Sequence, residues 1–248
     1  MLHRRIQQFI LVYFLGLLAL LLLKYLLSLS DYVIPGPVEI WQTGKSVFAR
    51  YVFNVLDTMW IAVVGHMVSI ILAFLVGIVG RQNSWIGSLI KAAAYNIQAY
   101  PIVAVAPIIF ILLGDGLITR LLIAVLICYF PLLLSVIGIL SEPVDSIEHF
   151  YVATKRMNWR LQVRIRAYEN INKLTTVIAG SATMAMVGTI VAEFIAADAG
   201  IGYSIRTALY QSDLSKILTA LFLIGISTSL YLTVLEWMGN VIQKKCQA

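Results

Sequence analysis

The sequence predicts an all-α polytopic membrane protein with six transmembrane helices, and three observations carry that prediction. The chain of 248 residues is 60% hydrophobic and only 12% charged. Its mean hydropathy of +0.91 lies far outside the range of ordinary globular domains. Crossing a hydrocarbon core of about 30 Å takes roughly 20 apolar residues in a helix, and six stretches of that kind occur, at residues 6–29, 55–79, 86–113, 117–140, 174–197 and 217–242. What remains between them is too short for a soluble domain, so residues 1–248 are read as a single transmembrane domain.

The first span follows "MLHRR", an opening that also begins secretory signal peptides. The apolar run is too long for that, and no small-x-small cleavage site follows it, so a retained helix is expected. Pro35, Gly36 and Pro37 end this helix, and an amphipathic helix along the membrane surface is expected after them. "GKS" at 44–46 ends a phosphate-binding loop motif in other proteins, but Glu39 stands where that motif needs its first glycine.

His66 in the second span has no carboxylate within a turn on the same helix, which leaves two readings: a polar interhelical contact or part of a proton relay. The third span holds the richest polar cluster of any span, Tyr95, Asn96, Gln98 and Tyr100, just before Pro101. Asn96, Gln98 and Tyr100 are therefore candidates for lining a translocation pathway, where they could hydrogen-bond a small polar solute. Pro101, Pro107 and, in the fourth span, Pro131 each free a carbonyl and bend their helix, either as fixed kinks or as moving parts of a pathway. Gly114 and Gly116 permit the tight turn between these two spans.

In the fifth span Ser181, Ala185, Gly188, Ala192 and Ala196 recur at steps of four and three, a small-residue face that lets another helix approach closely. An adjoining face carries Met186, Thr189, Glu193 and Ala197. A carboxylate inside a span costs about 2.5–3.5 kcal/mol on insertion scales, so Glu193 must face protein, a cavity or the outer boundary. Thr189 and Glu193 complete the candidate pathway set, with a hydrogen-bonded structural role as the alternative for Glu193.

Orientation follows from the Lys/Arg bias of short loops. With the N terminus inside, the inner side carries twelve Lys/Arg against five outside, so both termini are expected in the cytoplasm. Six of the twelve lie in the inner loop at 141–173, alternating with Met157, Trp159, Leu161, Val163 and Ile165. That alternation predicts an amphipathic helix pair presented to a cytoplasmic partner, or a basic face resting on anionic lipid. The net charge of +6 accordingly reads as topology and contact with the lipid bilayer, not nucleic-acid binding. Cys128 within the fourth span and Cys246 in the inner tail are poorly placed to pair, so no disulfide is expected. Three histidines, no metal-spaced Cys/His pair and no Gly-x-Ser-x-Gly elbow argue against an enzyme.

"YPIVAVAPIIFILLGDG", "CYFPLLLSVIGIL" and "TIVAEFIAADAGIGYSI" resemble the permease subunits of type I ABC importers, in the nitrate, taurine and aliphatic-sulfonate branch. Pro101, Pro107, Gly114, Phe130, Pro131, Ala192, Glu193, Gly200 and Gly202 match that pattern, with Ile201 in place of leucine. "VIPGP" resembles the family's Pro-Ser-Pro segment, and the resemblance runs over about 33–242.

The resemblance implies the type I importer permease fold in a bacterial inner membrane. It implies two ATPase subunits on the cytoplasmic side, a second permease copy or paralogue, and an extracytoplasmic solute-binding protein. ATP would bind the partner subunits, with no cofactor in this chain. The imported solute would be small and polar or anionic, of the sulfonate, nitrate, bicarbonate or vitamin-precursor class. In the family, a Glu-Ala-Ala-x-x-x-Gly motif in the long inner loop docks on the ATPase. Aligned here it falls on Tyr151, Val152, Ala153 and Met157, so one alanine survives, and the later Leu-Pro falls near Glu169 and Asn170. On this alignment Ala153, Met157, Asn158, Trp159 and Arg160 are the expected ATPase-coupling residues. The same departures leave a second reading, a transport-deficient membrane scaffold or regulatory subunit descended from such a permease.

Overall fold

The computed structural model describes residues 2–247, and all regular structure among them is helical. In chain order the helices are α1 (Leu2–Leu26), α2 (Pro37–Gly80), α3 (Trp85–Ala99), α4 (Ile102–Leu113), α5 (Leu117–Ser141), α6 (Asp145–Ala153), α7 (Trp159–Glu169), α8 (Ile171–Ile195), α9 (Gly200–Tyr210) and α10 (Leu214–Gln247). Helices α1, α2, α5, α8 and α10 are each long and apolar enough to cross a membrane, and α3 with α4 forms a sixth, bent candidate.

Two elements depart from the sequence-based expectation. The surface helix expected after Pro37 is continuous with the second span, so α2 runs 44 residues. Gly36 caps it with extended backbone and Pro37 opens it at the first turn, where a missing N–H costs nothing. No proline follows within it to end the helix, and the isolated Gly44 costs only about 1 kcal/mol. The expected third span, by contrast, breaks at Tyr100–Pro101, where α3 and α4 meet at 92°. Both residues are extended (ψ 132° and 103°). Proline disfavours the α region for the residue before it and supplies no N–H of its own. Pro107 and Pro131 leave their helices unbroken.

The core lies where α2, α5 and α8 meet. Ser181, Ala185, Gly188 and Ala192 of the small-residue face are all buried. A Cβ on Gly188 would come within 3.0 Å of the Ala124 Cα, so the missing side chain is what lets α8 touch the backbone of α5. Phe130, Leu132, Leu133, Val136, Ile137 and Leu140 of α5 pack with Ala73 of α2 to fill one end of the bundle. At the other end Tyr51 and Val55 of α2 pack with Ile201 of α9 and Leu223 of α10.

Helix α1 lies outside this core, against α10. Phe9 and Tyr13 meet Phe222 with ring centroids at 6.0 and 4.9 Å, and Arg5 pairs with Glu236. Its other face, including Leu11, Phe14, Leu15 and Leu18, is exposed, as a lipid-facing helix requires. Because α1 and α10 run antiparallel, both chain ends share one end of the bundle. Tyr168 of α7 reaches the Cys246 carbonyl at that same end, hereafter the inner end.

Candidate functional site

Two polar constructions stand at opposite ends of the bundle, with a break in the backbone between them. At the inner end α6 and α7 form the expected helix pair, and a charged network fastens it to the spans. Arg166 of α7 donates from Nε to Glu148 Oε1 at 2.5 Å and from Nη2 to Glu148 Oε2 at 2.8 Å. Its Nη1 donates to the carbonyls of Leu140 and Ser141 at 3.0 and 3.1 Å, the free carbonyl end of α5. Arg81, which caps α2, donates to Gln162 Oε1 at 2.7 Å and to the Trp159 carbonyl at 3.4 Å. Gln162 donates onward to Glu148 at 3.3 Å.

The bidentate guanidinium holds the Glu148 carboxyl at about 2, well below its ordinary 4.5. Arg166 is raised in return. Burial lowers Arg81, and the nearby Arg166 charge adds to the effect. Four elements thus converge on one ion pair, which sequence reasoning missed. Glu148 and Arg166 are 18 residues apart on two short helices, and no spacing rule links them.

The tip of the pair is the opposite in character. Phe150, Val152 and Trp159 are exposed apolar side chains, and Arg160 lies over the Trp159 ring at 5.4 Å. Of the expected coupling residues, Ala153, Asn158, Trp159 and Arg160 are exposed, and Met157 is half-buried. Asn158 starts α7 by accepting from the Leu161 N–H at 2.9 Å. Among the described residues of this loop, positive φ falls on Lys155 (φ 55°) and not on Met157.

At the outer end Glu193 is fully buried and latches α8 to α9. Its Oε2 accepts from the Thr58 hydroxyl at 2.7 Å and from the Gly202 N–H at 3.0 Å. Thr58 accepts from the Ile201 N–H at 2.9 Å. The carboxylate therefore satisfies two N–H groups in the first turn of α9, one directly and one through Thr58. Arg120 of α5 lies 3.5 Å from Glu193 Oε1 and 3.0 Å from Asp57 of α2.

This explains the spacing of "AEFIAADAGIG". Gly200 has φ 90°, and a Cβ there would overlap the Glu193 carboxyl at 2.1 Å; on Gly202 it would meet the Ile190 carbonyl at 2.4 Å. Thr58, Asp57 and Arg120 come from distant spans and carried no local signal.

The candidate pathway residues divide between two environments. Thr189 and Glu193 have no exposed surface in this conformation, so neither lines an open route here; Thr189 bonds its own helix at the Ala185 carbonyl. Asn96 and Gln98 are exposed on the last turn of α3, and Tyr100 is exposed at the break that follows it. His66 adopts the interhelical reading. Ser181 Oγ donates to the Ile178 carbonyl at 2.9 Å, so it accepts from His66 Nε2 at 2.8 Å, while Nδ1 and the Tyr231 hydroxyl share a hydrogen bond at 2.7 Å. That ring joins α2, α8 and α10.

Comparison with known proteins adds a lineage to this geometry. Residues 65–247 match the family described as the binding-protein-dependent transport system inner membrane component. The chain is similar to a formylaminopyrimidine transport permease protein of Halalkalibacterium halodurans, 24% identical over 217 residues covering 86% of each chain. It is 31% identical over 145 residues to a riboflavin transport system permease protein of Chloroflexus aurantiacus, covering 58% of this chain and 54% of that one. A probable ABC transporter permease protein of Haemophilus influenzae is 23% identical over 224 residues, covering 85% and 86%. With its all-helical bundle and its inner helix pair, the chain belongs to the binding-protein-dependent transport system inner membrane components, as a multi-pass, non-catalytic permease subunit of an ABC importer.

Proposed function

We propose that this chain and a second permease, a copy or a paralogue, form the translocation pathway for a small heteroaromatic solute of the vitamin-precursor class. Two cytoplasmic ATPase subunits drive the import, and an extracytoplasmic binding protein delivers the solute. The observation that carries the reading is the break at Tyr100–Pro101. Backbone without helical hydrogen bonds is tolerated at membrane depth only where protein covers it or water fills a cavity beside it. Here the break is exposed on the single chain, so a second subunit and an aqueous route between the two meet both requirements. Broken helices at membrane depth are also where transport proteins commonly build solute sites.

The side chains at the break favour one solute class. Tyr95 and Tyr100 offer aromatic faces for stacking, and Asn96 and Gln98 offer amides matched to the edge of a nitrogen heterocycle. The names of two relatives, for formylaminopyrimidine and riboflavin transport, support the same class over nitrate or sulfonates. At the inner end the exposed Phe150, Val152 and Trp159 are the apolar anchors for the ATPase, with Ala153, Met157, Asn158 and Arg160 around them. The bias of twelve Lys/Arg to five supports an inner end in the cytoplasm of a bacterial inner membrane.

The test is the whole transporter in proteoliposomes, with its binding protein and a panel of formylaminopyrimidine, riboflavin, taurine and nitrate. Stimulation of ATP hydrolysis and uptake by a ring compound is the expected result. Stimulation by taurine or nitrate alone would overturn the solute class, and stimulation by none in an assembled complex would favour the scaffold reading.

A further inference from the structure

Beside the transport machinery, α1, α2 and α10 enclose an apolar groove of about 640 Å³ on the outer half of the bundle. Leu17, Leu18 and Leu21 of α1 form one wall, Trp41 and Phe48 of α2 the other, and Phe222 of α10 the floor. Three features identify what fits it.

The interior is apolar. Its two hydroxyls are already spent inside the chain, Tyr13 on the Leu218 carbonyl at 2.9 Å and Thr219 on the Ser215 carbonyl at 2.9 Å. A solute with polar groups would find no partner there. The mouth is different. Lys45 is the one charged side chain among the described residues lining the groove. It stands over the Trp41 ring at 4.8 Å, with no carboxylate paired to it among the described residues. Glu39 lies off the helical face that carries Pro37, Ile40, Trp41, Lys45 and Phe48.

The third feature is depth. The wall residues of α1 belong to the outer half of a helix whose whole length is apolar enough to cross the membrane. A tryptophan beside a lysine at the top of such a wall is the arrangement of a membrane interface.

We infer that this groove is a binding site for an anionic phospholipid of the outer leaflet, with one acyl chain between α1 and α2 and its headgroup at Lys45 and Trp41. The inference rests on the membrane placement and not on the transported solute. An apolar slot with a single cation at its rim suits an acyl chain below and a negative headgroup above.

The experiment uses the assembled transporter in nanodiscs containing phosphatidylglycerol with a photoactivatable acyl chain, against phosphatidylcholine carrying the same chain. Labelled peptides are mapped by mass spectrometry. The label is expected on residues 17–21 and 41–48, with phosphatidylglycerol favoured about fivefold, the ratio that about 1 kcal/mol per basic side chain near the surface converts to.

Lys45→Gln should bring that ratio to about one while leaving the label in place. Leu18→Trp, at an exposed position, should fill the groove and remove the label from residues 41–48. Equal labelling of the two lipids by the unsubstituted chain would overturn the proposal, as would label absent from both segments. A photo-reactive residue at Phe48 that captures another membrane chain instead of lipid would do the same. Should Leu18→Trp fail to assemble, the Lys45→Gln ratio decides alone.

Discussion

Single residues hold the two ends of the molecule by different means. Glu148 and Arg166 are each about nine-tenths buried at the side chain, and Arg166 also serves two carbonyls of α5. Replacing one partner strands the other, a loss of about 3 kcal/mol for a pair this well enclosed. Glu148→Gln should therefore lower the melting temperature of the purified complex by about 5–10 °C. Because the Glu148 pKa is depressed in the folded chain, its stabilisation is full above the ordinary value of 4.5 and is lost as pH falls toward about 2. A melting series in that window should show a decline that Glu148→Gln largely removes. At the outer end the constraint is steric. Gly200→Ala places a methyl group on the Glu193 carboxyl in a left-handed conformation, so it should cost more than the 1–3 kcal/mol of backbone strain alone. Yield of assembled complex is the readout, and wild-type yield would mean that the α8–α9 latch is dispensable.

Among elements, the inner helix pair and the broken third span are the parts on which the proposed function rests. Docking energy concentrates in buried aromatic anchors, while exposed charges are worth about 0–1 kcal/mol. Trp159→Ala should weaken ATPase retention at least thirtyfold in a pull-down, and Arg164→Gln should change it little; the reverse pattern would exchange their roles. At the break, Pro101→Ala restores an N–H and readmits Tyr100 to the α region. Uptake should fall at least tenfold with the complex intact, because Asn96, Gln98 and Tyr100 leave their present positions. How much was legible in the sequence follows from the range of each interaction. Local signals led to the right places: the apolar runs of α5 and α10, the small face of α8 and the helix pair of the inner loop. The 92° bend was half legible, since Pro101 announces a kink without its size. The short α9 and the Thr58–Glu193–Arg120 cluster were not, because their partners lie up to 135 residues apart and only the folded bundle brings them together.

At the scale of the whole molecule, antiparallel α1 and α10 bring Leu2 and Gln247 to one end of the bundle. A reporter fused after Lys245 should be cytoplasmic and one inserted between Ser212 and Asp213 extracytoplasmic, as the Lys/Arg bias requires. The opposite pattern would invert the inner and outer ends together. One feature ties those ends to each other. At 1.5 Å per residue, the 44 residues of α2 extend about 66 Å, more than twice the hydrocarbon thickness. Its lower tip is bolted through Arg81 to the Gln162 amide and the Trp159 carbonyl, beside the exposed apolar tip of the inner helix pair. Its middle carries Asp57 and Thr58 of the Glu193 cluster, and its upper turns carry Trp41 and Lys45. One uninterrupted helix therefore leads from the contacts of α7 to Thr58 and on to the outer rim, and a displacement imposed on α7 would have that helix as its path.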